Sequence, residues 1–137
     1  MRAIPLLVLA LFAASPAWAE LLHFKAHLDT ASEVPMKHGP GHGTVDATFD
    51  TATSRLTYTI SYADLSGPVT GAHFHGPAGP MDTAGVVVKI TGNLATPIHG
   101  EATLSPELAD ALTHGRLYVN LHTTENPGGE VRGQVMK

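Results

Sequence analysis

From Leu22 to Leu28 the chain alternates apolar and polar residues without a break. Leu22, Phe24, Ala26 and Leu28 share one face; His23, Lys25 and His27 share the other. A period of two residues is that of a half-buried β-strand. The period returns from Thr44 to Asp50, with Val45, Ala47 and Phe49 inward, and from Leu56 to Tyr62, with Leu56, Tyr58, Ile60 and Tyr62 on one face. Turn-type residues from Asp50 to Ser54 join these two stretches into a hairpin. Val69 to His75, Gly85 to Thr91, Ile98 to Leu104, Arg116 to Thr123 and Glu130 to Met136 continue the series, most of them bounded by Gly, Pro or Asn. A series of short strands at this spacing, about eight in all, predicts an all-β Greek-key sandwich or barrel.

One segment breaks the period. Ser105 suits an N-cap, Pro106 the first helical position and Glu107 the positive end of the dipole, while Leu108, Ala111 and Leu112 form a short apolar stripe and Gly115 falls where a C-terminal cap belongs. This predicts a short connector helix. The Gly/Pro-rich stretch from Glu33 to Gly43 carries His38 and His42 and reads as a mobile loop.

The N-terminus follows a different logic. Met1-Arg2 is a short positive start, Ala3 to Ala14 is apolar, and Ser15-Pro16-Ala17-Trp18-Ala19 ends in an A-x-A pattern before Glu20. Residues 1–19 are therefore expected to be a secretory signal peptide, leaving one β domain over residues 20–137 in the periplasm or outside the cell. No stretch approaches the roughly 20 apolar residues of a transmembrane helix, so no membrane partner is expected.

Composition narrows the chemistry. The 137 residues include 8 Lys+Arg, 12 Asp+Glu, 9 His and no Cys, for a net charge of −4. Without cysteine there is no disulfide, thiolate-bound zinc, iron–sulfur cluster or cysteine nucleophile. The acidic balance argues against a surface that tracks phosphates, so no nucleic-acid partner is expected. Histidine outnumbers Lys and Arg together, which points to imidazole ligands.

Strand parity sorts the histidines. In Gly71-Ala72-His73-Phe74-His75-Gly76, the i and i+2 imidazoles project from one face while Phe74 turns into the core. In the stretch from Arg116 to Thr123, Leu117, Val119 and Leu121 face inward, which leaves Tyr118, Asn120 and His122 outward. If these two strands pair, His73, His75 and His122 converge on one metal ion. His38 and His42, on their loop, are candidates for a fourth ligand. Polar histidines on a solvated sheet face are also ordinary, and His23, His27, His99 and His114 are read that way.

Four groups of residues resemble a CHRD domain, the module named from chordin: Ala31-Ser32-Glu33-Val34-Pro35, Leu56-Thr57-Tyr58-Thr59-Ile60, Ala72 to Gly79, and Leu117 to Thr123 running on through Asn126-Pro127-Gly128-Gly129 to Gln134. That resemblance implies an all-β extracellular or periplasmic domain. A more distant one concerns chemistry. Gly71-Ala72-His73-Phe74-His75 is similar to the G-x-H-x-H copper strand of Cu/Zn superoxide dismutases, and Gly115 to His122 to a later strand that delivers another copper histidine.

The dismutase resemblance implies a superoxide-dismutase-like barrel in which His73, His75 and His122 are copper ligands. Arg132 lies a few residues from the place of the dismutase active-site arginine and is the candidate catalytic side chain; an ion pair with Glu130 or Glu125 is the other reading. The stretch between His75 and Val86 is too short for a dismutase zinc loop, and no histidine stands in the bridging position, so copper is expected and zinc less so. Nitrogen sites favour Cu(II) among the divalent first-row metals. The expectation is a mononuclear copper protein with an open three-histidine site, acting on superoxide as a copper-only dismutase. A non-enzymatic copper-binding or buffering protein and a metal-free interaction module are the alternatives. Steering of superoxide is expected from Arg132, Lys37 or Arg116.

Overall fold

The computed structural model describes residues 18–137. The expected signal peptide lies outside the described residues except for its last two positions, Trp18 and Ala19. Among the described residues no helix is long and apolar enough to cross a membrane.

Strands β1 (Leu21–Asp29), β2 (His42–Asp50) and β3 (Arg55–Ala63) form an antiparallel meander. Phe24 lies opposite Ala47, and Ala47 opposite Tyr58, so the apolar set of each strand falls on the same side. Phe24, Leu28, Val45, Phe49, Leu56 and Ile60 are buried there, as the alternation requires. Then come β4 (Val69–His75), β5 (Val86–Lys89), β6 (Ile98–Thr103), helix α1 (Pro106–Thr113), β7 (Tyr118–Thr123) and β8 (Val131–Gln134). The spatial order is β5-β4-β7-β8-β1-β2-β3-β6. The chain thus crosses over between β3 and β4 and between β6 and β7, and curls the sheet into a nearly closed antiparallel barrel. At the β5/β6 opening, Tyr62 donates from its hydroxyl to the Leu94 carbonyl (2.8 Å) and from its backbone N–H to Thr96 Oγ1 (3.1 Å), fastening the connecting segment.

The helix is capped as its sequence suggests. Ser105 Oγ accepts from the Leu108 N–H, and Pro106 opens the first turn. At the other end Gly115 takes φ +66°, its N–H donates to Leu112 O, and the Arg116 N–H donates to Ala111 O. This is the paired bonding of a Schellman cap. It holds Arg116 on the helix, and β7 starts at Tyr118 instead of Arg116.

Two expectations about the surface change. The outward side of β7 is not solvated: Tyr118 and Asn120 point away from the barrel centre yet are buried beneath covering loops. The loop after β1 is also tied at its base. Thr30 O accepts the N–H groups of Glu33 and Lys37, and Thr30 Oγ1 donates to Gly39 O.

Candidate metal centre

The β4/β7 register builds the site. His75 lies opposite Tyr118, His73 opposite Asn120, and Gly71 opposite His122. Three imidazoles and one carboxamide therefore share a patch two strands wide. One ligand atom from each of His73, His75 and His122 falls within 4.8 Å of the others, the only such group of His, Asp or Glu among the described residues.

Backbone carbonyls set the tautomers. His75 Nδ1 is 2.9 Å from Ala84 O, and His122 Nδ1 is 2.9 Å from Pro127 O. A carbonyl only accepts, so each Nδ1 carries the proton and each Nε2 presents a lone pair to the cluster. His73 completes it with Nδ1, 3.0 Å from His122 Nε2. Burial first, then the charges of His122, His75 and Lys89, hold the His73 pKa below its usual value, which favours the uncharged form of the ring that a metal requires. Asn120 Oδ1 lies 2.9 Å from both His75 Nε2 and His122 Nε2. The three ring nitrogens could hold a metal ion, and the donor set fits a metal that prefers nitrogen.

A cleft of about 530 Å³ opens onto the cluster, lined by Gly71, His73, Lys89, Gly92, His122 and Pro127 among others. Lys89 lies opposite His73 across β4 and β5 and is exposed.

The remaining candidates lie elsewhere. His38 is exposed on its loop. His42 opens β2, which β8 and β1 separate from β7, and its Nδ1 donates to Pro40 O at 3.0 Å. Neither joins the three-histidine group. Arg132 is only 2% exposed. Its guanidinium carbon stands 3.6 Å from the centroid of the Tyr118 ring, and Nη2 donates to Gly79 O at 3.0 Å. It makes no ion pair with Glu130, whose carboxylate instead accepts from the Ser66 N–H and from the hydroxyls of Ser66 and Thr123.

Local patterns did not reveal Lys89 or Glu33. Glu33 comes from the same loop as His38 but is only 6% exposed. Burial raises its pKa from 4.5 to about 7, against the opposing pull of Arg132, Lys37 and Asn120. The motif around Ala31 to Pro35 drew attention to the segment without showing that its carboxyl turns inward.

The fold and the site together define a small antiparallel β-barrel bearing, on its outer face, a three-histidine group able to hold a metal ion. The chain belongs to the CHRD domain family, whose model matches residues 24–135. No curated protein and no solved structure matches it.

Proposed function

We propose that this CHRD-domain protein is a secreted or periplasmic mononuclear copper protein, with copper held by His73 Nδ1, His75 Nε2 and His122 Nε2, and that the loaded form dismutates superoxide. The observation that carries this reading is the convergence of three imidazoles, two of them oriented by hydrogen bonds from Nδ1 to Ala84 O and Pro127 O. Three nitrogen donors favour copper over zinc at equal supply, and they leave coordination space for a small ligand. Bound copper would supply the one-electron couple by which one superoxide is oxidised to dioxygen and a second, taking two protons, is reduced to hydrogen peroxide.

The chain's own groups do the rest. The β4/β7 ladder holds the three rings side by side, and the two carbonyl bonds orient His75 and His122, so that the ring nitrogens need only draw in from within 4.8 Å to share an ion. The cleft beside His73 admits a small anion, and Lys89 supplies positive charge at its wall. Arg132 acts through Tyr118 and the Gly79 loop as a positioning residue.

The test is copper loading of the full-length secreted product, followed by superoxide consumption measured beside His73→Ala and His122→Ala. One tightly held copper, activity above that of free copper and loss in both variants are expected. Tight copper binding without activity would identify a carrier or buffer. Failure to retain any metal, with an unchanged melting temperature, would leave only the interaction-module reading.

A further inference from the structure

Resting on the metal-site reading above, we infer that Asn120 is itself a metal donor: its carboxamide oxygen joins the three imidazole nitrogens as the fourth ligand, oriented by the buried Glu33. Asn120 is 4% exposed; it lies on β7 two residues before His122 and stands opposite His73 of β4 in the ladder. Its Oδ1 is 2.9 Å from two Nε2 atoms whose rings, in the neutral form that binds a metal, direct their single proton to a backbone carbonyl. Three acceptors facing one another repel. A cation placed among them would turn that repulsion into attraction. The 2.9 Å separations of Oδ1 from the two Nε2 atoms match neighbouring ligands around an ion with bonds of about 2 Å, and the ring nitrogens, within 4.8 Å of one another, would draw in on binding.

The opposite side of the amide explains why the oxygen faces inward. Asn120 lies against the Glu33 carboxyl, with both packed over Gly129: a Cβ there would stand 2.8 Å from Asn120 Nδ2 and in collision with Glu33 Oε1. Turning the amide over would set its oxygen against that carboxylate. Glu33 Oε1 is buried without a hydrogen bond of ordinary geometry. Coordination of Oδ1 would polarise the amide and make Nδ2–H a stronger donor toward this orphaned oxygen, linking metal occupancy to Glu33. Gly129, at φ +122°, leaves the room in which the two side chains meet.

A neutral amide is a weaker donor than imidazole. The fourth position is therefore filled at rest and open to exchange, a role that His38 and His42 are not placed to take.

The test uses the full-length secreted product loaded with one equivalent of Cu(II). Electron paramagnetic resonance in water enriched in the magnetic oxygen isotope should show no equatorial water broadening in the wild type. Broadening should appear in Asn120→Leu, with Cu(II) affinity lowered roughly 10- to 100-fold. Equatorial water in the wild type overturns the proposal, and that measurement needs no variant to fold. So does a folded Asn120→Leu with wild-type affinity and spectrum. A wild type that binds no copper, or binds it independently of His73 and His122, sinks the metal-site reading instead.

Discussion

Tyr118 stacks on His75 with the two ring planes 2° apart and their centroids 4.8 Å apart, and Arg132 lies against the same tyrosine. The Tyr118 hydroxyl is also 3.2 Å from both the N–H and the carbonyl of Ala84, the residue whose carbonyl fixes His75. Tyr118 thus packs one ring of the three-histidine group and holds the loop whose carbonyl orients it. Arg132→Met keeps the bulk but removes the cation–π contact, the bond to Gly79 O and the positive charge facing Glu33. A loss of about 2–4 kcal/mol in stability is expected. The copper-loaded variant should keep its three-nitrogen spectrum. Undiminished stability together with lost superoxide consumption at full copper content would instead make Arg132 catalytic.

Glu33 gives the fold a pH dependence of definite sign. Its pKa rises from 4.5 to about 7 on folding, chiefly through burial, so between those values the folded state binds more protons than the unfolded one. Stability from this group is undiminished below 4.5, falls as pH rises and levels off above about 7, the full change being about 3 kcal/mol. Glu33→Gln should therefore melt above wild type at pH 8 and with it near pH 4, while binding copper less tightly. Melting curves that differ equally at both pH values would overturn the assignment.

Glu130 works in the other direction. Burial alone would raise its pKa, but the bonds from Ser66 and Thr123 outweigh it and hold the carboxyl below 4.5. Its contribution is present above that value and disappears as pH falls through the lowered one. Glu130→Gln should cost about 1–3 kcal/mol at neutral pH and progressively less in acid, measured by urea unfolding. A cost that persists undiminished in acid would point to packing.

Strand parity went far toward the site. The period-two pattern places Phe74 inward and His73 and His75 outward, and the alternation of Leu117, Val119 and Leu121 does the same for His122. What parity cannot supply is which strands are neighbours. The His73–His122 contact joins residues 49 apart in sequence, through a crossover that no local pattern specifies. The covering loops are equally hidden. A Gly/Pro-rich stretch reads as mobile, yet Thr30 ties its base and Glu33 turns under it, while His38 stays in solvent. In the sequence Arg132 stands out only by its place in the C-terminal motif, and its burial against Tyr118 is something that only the tertiary packing creates. Lys89 belongs to a four-residue strand whose register against His73 comes from β4, and nothing in its own segment points to an anion.

Lys89 is the cationic group that the structure puts at the mouth of the cleft, beside His73 and across the ladder from it. The chain as a whole is acidic, so under the proposed function any attraction of superoxide would have to come from local charge of this kind. Because Lys89 is exposed, its field is screened by salt over about 10 Å at 0.1 M ionic strength. Lys89→Glu should lower the rate constant for superoxide consumption several-fold at low ionic strength, with copper content and melting temperature unchanged. Lys89→Gln should fall between that variant and wild type. The three rates should converge as salt is raised, which pulse-generated superoxide would measure directly. Rates that are equal at low salt, or that differ by a ratio independent of salt, would remove Lys89 from the approach path.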